Sequence, residues 1–328
     1  MIRYIFVRAL TGILVLFLVT VTTFLLFFAA PTDVGRTMAG KMATPDMIAL
    51  INHRLGLDKP LWYQYGHFIW RALHGDLGYD YYHGQSVVSI IKADAPVSFS
   101  IAIGAAIIWL ILGVGSGIIS AIRPRTITDR VLNVMALVFY SMPSLVLGSL
   151  FLYFLYYKLT VAHHPWFPAA GYAPWLGAPG PTSSDHGLFQ WGRHLFLPWM
   201  TLALITAAAY TRFTRGSMLE VLSEDYIRTA RAKGIPERRV ITRHALRSAL
   251  TPVVTQFGID LATLAGGTIV TEKIYGMPGL GNESVNAINN QDLPVIVGIL
   301  VLVSVFVVVA NFLVDLLYAV LDPRVRLY

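Results

Sequence analysis

Val97–Ile122 reads VSFSIAIGAAIIWLILGVGSGIISAI, a run without one charged side chain. The hydrocarbon core of a bilayer, about 30 Å thick, takes roughly 20 apolar residues as helix. A chain inside it must satisfy its own backbone hydrogen bonds, which a helix does. The run is therefore a membrane-spanning helix, and the same reading recurs on both sides of it. Ala9–Ala30 and Val131–Tyr157 are uncharged and long enough. Leu195–Thr211 is uncharged but near the lower limit for a span. Pro252–Thr271 carries one acid, Asp260, and Leu293–Leu321 carries one, Asp315. The expectation is an all-α integral membrane protein of six transmembrane helices, with both termini on one side.

Arg3 and Arg8 precede the first run, as they would a signal peptide. The run is longer than a usual signal core, and Phe28-Ala29-Ala30-Pro31 is a weak cleavage pattern, so it is read as a retained helix. Of the 328 residues, 55% are hydrophobic and 13% charged, too apolar for an ordinary soluble domain. The absence of cysteine excludes a disulfide framework, a thiolate metal site and a cysteine nucleophile.

Orientation follows the lysines and arginines flanking the spans. One side holds Arg3, Arg8, Arg123, Arg125, Arg130, nine bases between Arg212 and Arg247, Arg324 and Arg326, against six acids. The opposite side has nine bases and ten acids. The basic side, and with it both termini, is read as cytoplasmic. Topology thus accounts for the net charge of +7, and no nucleic-acid partner is implied.

Three loops face outward on this reading. Pro31–Pro96 is long and aromatic, with a helix expected from Thr44-Pro45-Asp46 to about Leu55. Lys158–His194 contains adjacent His163 and His164, poor metal-ligand geometry without further ligands. Glu272–Asp292 carries Tyr275-Gly276-Met277-Pro278-Gly279-Leu280-Gly281, which favours a tight non-helical turn.

The cytoplasmic segment 212–252 is the most informative. Ser223, Glu224 and Asp225 are suited to start a helix, with acids at its positive end. Gly234 stops it after Lys233, and Pro236-Glu237 opens a second helix reaching Leu250. A solvated basic hairpin touching anionic lipid is one reading. Docking into a protein groove is the other, favoured because the small residues Thr229, Ala230 and Ala232 alternate with charges before the glycine.

This segment resembles the EAA loop of ABC importer permeases. Arg228-Thr229-Ala230 stands in the Glu-Ala-Ala place, with Gly234 at the expected spacing. The missing first acid, and Arg247 where a proline is usual, match the dipeptide and oligopeptide branch. So do Leu55-Gly56-Leu57-Asp58-Lys59-Pro60, Gly75-Asp76-Leu77-Gly78, Ser141-Met142-Pro143-Ser144, and Glu272-Lys273-Ile274-Tyr275 through Gly281. The resemblance, to the B-type permease, covers nearly the whole chain. It implies type I importer architecture in a bacterial plasma (inner) membrane. It also implies a single permease domain over 1–328: first span 1–30, external loop 31–96, and a five-span core 97–328 with the coupling segment 212–252.

The resemblance further implies as partners a homologous C-type permease, two ATP-binding subunits, an external substrate-binding protein and a peptide substrate. ATP coupling would fall to Arg228, Thr229, Ala230, Lys233 and Gly234. No G-x-x-x-x-G-K-[ST] occurs, so no cofactor is expected on this chain, and ATP and magnesium would sit on the ATPase subunits. Gly113, Gly115 and Gly117 lie inside a span and read as close-packing residues. For the substrate pathway the candidates are Asp260, costly in mid-membrane, and Tyr140 and Ser141 beside the kink-forming Pro143. Asp260 would attract a peptide amine or, equally, hydrogen-bond Thr255, Thr263 or a neighbouring helix. Nickel, glutathione, sugars or antimicrobial peptides are alternative cargoes. An intramembrane enzyme using Asp260 and Asp315 is a remote one, since no reaction motif accompanies them.

Overall fold

The computed structural model describes residues 2–28, 44–46, 49, 53, 58–80, 82–175 and 186–321. Side chains at 2–4, 27–28, 262–263, 265–267 and 317–321 lie outside the description. The helices are α1 (Ile2–Phe28), α2 (Leu61–Leu73), α3 (Val87–Ile122), α4 (Ile127–Ser141), α5 (Ser144–Val161), α6 (Leu188–Leu222), α7 (Asp225–Ala232), α8 (Leu246–Ile274), α9 (Leu280–Asn290) and α10 (Leu293–Leu321). Among the described residues there is no strand, only an isolated bridge between Tyr79 and Ser86. Among the described residues five helices are long and apolar enough to cross a membrane: Ile5–Leu26 within α1, then α3, α5, α6, and Leu293–Leu316 within α10. The sixth expected span, Pro252–Thr271, lies inside the 29-residue α8.

The third run differs from expectation. Val131–Tyr157 is not one kinked helix, because Met142 and Pro143 are extended (ψ 123° and 143°) and separate α4 from α5. The residue before a proline is pushed out of the α region by the ring, so the helix ends there rather than bends. The apolar membrane candidate is Ser144–Val161, whose central stretch Leu152–Lys158 is π-helical. The fourth run is also longer than expected: α6 extends 35 residues, from inside the second loop to Leu222. Helical backbone at 45–46, 49 and 53 accords with a helix after Thr44, whose other residues lie outside the description.

The chain divides into two compact units. The first comprises 97–281 and 310–328. Its core joins Ile101, Ala105 and Trp109 of α3 to Leu195, Ala203 and Tyr210 of α6, Val253 and Leu264 of α8, and Tyr275 and Met277 beyond it. Glycine sets the α3–α6 distance: a Cβ on Gly113 would lie 2.5 Å from the Tyr210 Cβ, and one on Gly117 2.7 Å from the Thr214 Cβ. Gly115, between them, meets nothing within 4 Å. One turn pair further back, Gly104 admits the Trp199 indole, which donates to the Ser100 carbonyl at 2.8 Å.

The second unit comprises 2–96 and 282–309. Here α2 lies on α1 through Tyr65 and Phe68, which meet Phe24, while the Tyr65 and Thr20 hydroxyls are 3.0 Å apart. The turn before α3 is organised by buried Asp80, which accepts from Tyr82 N–H at 2.6 Å and faces His83 Nδ1 at 2.5 Å.

Candidate functional site

The segment after α6 folds as a hairpin against its own unit. Glu224, in extended conformation, caps α7; the Ser223 hydroxyl instead donates back to the Glu220 carbonyl at 2.7 Å. Ser223 thus closes α6 rather than opening α7. At the other end Gly234 has φ +72°, a left-handed conformation that glycine adopts without a Cβ penalty. The second helix does not stop at Leu250. It starts as the turn Glu237–Arg239, passes through π-helical Val240–Ala245 and continues as α8 past Pro252 into the apolar run.

Two faces of α7 separate cleanly. Ile227 (0% exposed) and Ala230 (7%) pack with Ala121, Met218, Val240, Ala245 and Ala249. Arg228, Thr229, Arg231, Ala232, Lys233 and Gly234 are exposed. Of the five coupling candidates, four are therefore outward, and Ala230 faces the hairpin's own core. Its bulk is limited by packing within this chain. Arg231 bridges to Glu237 across the turn at 2.7 Å, and its guanidinium holds that carboxyl below the ordinary carboxylate range.

The root of the hairpin is an ion pair missed by sequence reasoning, in which Asp129 is one of the six acids on the basic side. Asp129 is 4% exposed and accepts on both oxygens from Arg215 on α6, from Nε at 2.7 Å and from Nη2 at 2.9 Å. Ser120 Oγ, the Arg125 N–H and Asn133 Nδ2 also donate to it. Arg215 is the first cause, Ser120 the second, of a carboxyl held far below its usual range. A bidentate guanidinium with three further donors offsets the desolvation of a buried charge, and here it ties α3, α4 and α6 together. The available signal was Thr126-x-x-Asp129, a capping pattern: Thr126 accepts from Asp129 N–H at 3.3 Å.

Asp260 accepts from the Tyr210 hydroxyl at 2.7 Å and from Gln256 Nε2 at 3.0 Å. The Tyr210 ring stands 6.1 Å from that of Trp109, which also meets Phe257. Thr255 donates instead to the Thr251 carbonyl, and the Thr263 side chain lies outside the description. Tyr140 is exposed, and Ser141 donates to the Leu137 carbonyl within α4.

Another acid of the expected outer loop 272–292, read from the sequence only as part of the family motif, is buried. Glu272 is 0% exposed; Ser98 Oγ donates to it at 2.6 Å and in turn accepts from Leu280 N–H at 2.8 Å. The loop wraps this side chain so closely that a Cβ on Gly279 would lie 2.5 Å from its Cδ, and one on Gly281 2.9 Å from its Oε2. Tyr275, also buried, pairs its hydroxyl with Thr201 Oγ1 at 2.8 Å. The tight turn expected from the glycines is present at 275–279, but helix resumes at Leu280 with α9. Among the described residues no group of three acids or histidines is arranged to hold a metal ion, His163 and His164 included.

Residues 113–327 match the family model described as "Binding-protein-dependent transport system inner membrane component", and residues 1–102 match its N-terminal companion. The chain is 38% identical to a probable peptide ABC transporter permease of Sinorhizobium fredii, over 98% of this chain and 99% of that one. It is 38% identical to a putative peptide transport system permease of Brucella abortus, over 97% of each. It is 36% identical to the glutathione transport system permease GsiC of Escherichia coli, over 99% of each. In fold it resembles a chain of the MetNI methionine ABC transporter, with a TM-score of 0.52 at 17% identity, over 71% of this chain and 96% of that one.

Proposed function

We infer the function from one premise: the chain belongs to the family of binding-protein-dependent transport system inner membrane components. It is a multi-pass, non-enzymatic permease subunit of a bacterial ABC importer. Beyond that, we propose a permease for di- and oligopeptides that docks an ATPase through the outward face of α7. The observation that carries the docking is the division of that helix. Ile227 and Ala230 bind it to the chain's own core, so a push on its other face moves the hairpin as one body. Arg228, Thr229, Ala232, Lys233 and Gly234 form that outward face, small at its centre and charged at its flanks.

On this reading both termini are cytoplasmic and residues 1–328 form one permease domain. A C-type permease completes the pathway, an external binding protein delivers the peptide, and two ATPase subunits carry ATP and magnesium. Closure of the ATPase dimer would drive α7. The Asp129–Arg215 joint lies at the base of that hairpin and links α6 to α3 and α4. ATP energy acts through the differing contacts of two states. Along the path we place Asp260, held ready by Tyr210 and Gln256 to receive a peptide amine, with Tyr140, Ser141 and Pro143 at the break between α4 and α5. Glutathione is the second reading of the cargo, supported by the likeness to GsiC over the whole chain.

The test is bulk on the outward face. Ala232→Trp, at an exposed position, is expected to leave the subunit assembled and stable while peptide uptake falls at least tenfold. Normal peptide-driven uptake by that variant would contradict the docking role.

A further inference from the structure

The helix α2 carries three faces rather than two. Tyr65 and Phe68 sit on α1, with ring centroids 5.4 and 6.3 Å from Phe24. On one flank Trp62, Trp70 and Leu73 are 75%, 63% and 77% exposed, and a Cβ added at Gly66 between them would meet nothing within 4 Å. Positions 62, 66, 70 and 73 follow the three- and four-residue spacing of one helix flank. On the opposite flank stand Gln64, His67 and Arg71, the last bound to Asp76 at 2.8 Å. Two large indoles and a leucine are thus presented together, away from the polar side.

The place of α2 along α1 identifies what covers them. Tyr65 touches Phe17, Thr20 and Phe24, all inside the apolar stretch Ile5–Leu26. At 1.5 Å per residue, these contacts lie about 3 to 14 Å short of the end of that stretch. Around them Leu18, Leu25 and Leu26 of α1 are exposed, as lipid-facing side chains would be. A helix packed on this stretch sets its aromatic flank beside the apolar part of α1 rather than beyond it. Tryptophan, with an apolar body and one N–H, favours the headgroup boundary.

We propose that α2 is an interfacial helix. It lies in the boundary layer of the bilayer leaflet at the C-terminal end of α1, with Trp62, Trp70 and Leu73 facing the acyl chains and Gln64, His67 and Arg71 facing water. Lys59, whose Nζ lies 4.3 Å above the Tyr63 ring, places a cation at the entry to the helix, within reach of lipid phosphate. The helix thereby fixes the depth of the long loop relative to the membrane, whatever protein binds above it.

The chain has no cysteine, so a single introduced thiol labels uniquely. Nitroxide is attached separately to Trp62→Cys, Trp70→Cys, Leu73→Cys and His67→Cys, in the full chain co-purified with its transporter subunits and reconstituted in phospholipid vesicles. At 62, 70 and 73 collision with oxygen should exceed collision with a water-soluble nickel complex, and at 67 the order should reverse. Independently, lipids brominated near the headgroup should quench the intrinsic fluorescence of the parent, and the double variant Trp62→Phe/Trp70→Phe, which keeps five of the seven tryptophans, should show a smaller quenched fraction. The proposal is overturned if nickel collisions dominate on both flanks. It is equally overturned if positions 62, 70 and 73 are shielded from both agents and become accessible when the external binding protein or the partner permease is removed, because the flank is then a protein interface. The fluorescence arm needs no cysteine variant, so a labelled variant that fails to assemble leaves the test intact.

Discussion

The hairpin 212–252 and the loop 272–281 belong to one compact unit, yet they are built on opposite principles. The hairpin buries alkyl groups, Ile227, Ala230, Val240 and Ala245, and sends the charges of α7 outward. The loop buries a carboxyl group, that of Glu272, and closes glycine backbone around it. A segment packed on one apolar face keeps its other face for a partner and tolerates change there. A segment wrapped around a carboxylate has no spare face. The difference teaches where a moving contact is affordable: on α7, and not at 272–281.

Substitution should expose that asymmetry, most strongly in the loop. Gly279→Val places methyl groups where the Glu272 carboxyl stands. It is expected to cost about 3 kcal/mol or more, as overpacking against an immobile neighbour does, and thermal melting of the detergent-solubilised subunit reads the loss. Next comes the root of the hairpin. Arg215→Ala leaves Asp129 without its principal counter-charge and should cost roughly 2–3 kcal/mol, below the full range for a buried pair because Arg215 keeps partial access to water. An unchanged melting curve would dissolve the joint.

Ala230→Glu, on the inward face of α7, should lower stability by roughly 2 kcal/mol by forcing a carboxylate among Ile227, Met218 and Val240. The comparison sharpens if the same change at exposed Ala232 leaves melting unaltered. The smallest effect concerns Arg231 and Glu237. Both are about half exposed, so Glu237→Gln should cost roughly 0.5 kcal/mol or less. The folded pKa of Glu237 lies below its ordinary value of 4.5. Its contribution is therefore present above about pH 4.5 and fades as pH falls through the folded value. Melting of the parent relative to Glu237→Gln should converge in acid and not in alkali.

The spans other than the third were legible because an apolar run of membrane length has few other meanings, and Gly113 and Gly117, though not Gly115, read correctly as packing residues. The turn at Gly234 was legible because a glycine after basic residues ends a helix in its own local context. Asp129 and Glu272 were not legible as buried acids. Their partners, Arg215 and Ser98, stand far away in sequence, and a lone acid in a loop looks the same whether solvated or enclosed. Met142 and Pro143 were read as a kink, since the sequence does not say whether neighbouring helices hold the two halves in line. Ala230 looked like part of a contact surface because the motif names it, but which face of so short a helix turns inward depends on Met218 and Val240.

Docking by α7 is tested most directly with single cysteines in this cysteine-free chain, at Ala232 and, as the inward control, at Ala230. A short thiol-to-amine crosslinker is applied to the assembled transporter in membranes. The account predicts that Ala232→Cys joins this subunit to an ATPase subunit, in a yield that changes when ATP is bound, whereas Ala230→Cys yields no such adduct. An adduct absent at 232, or equal at both positions, would contradict it.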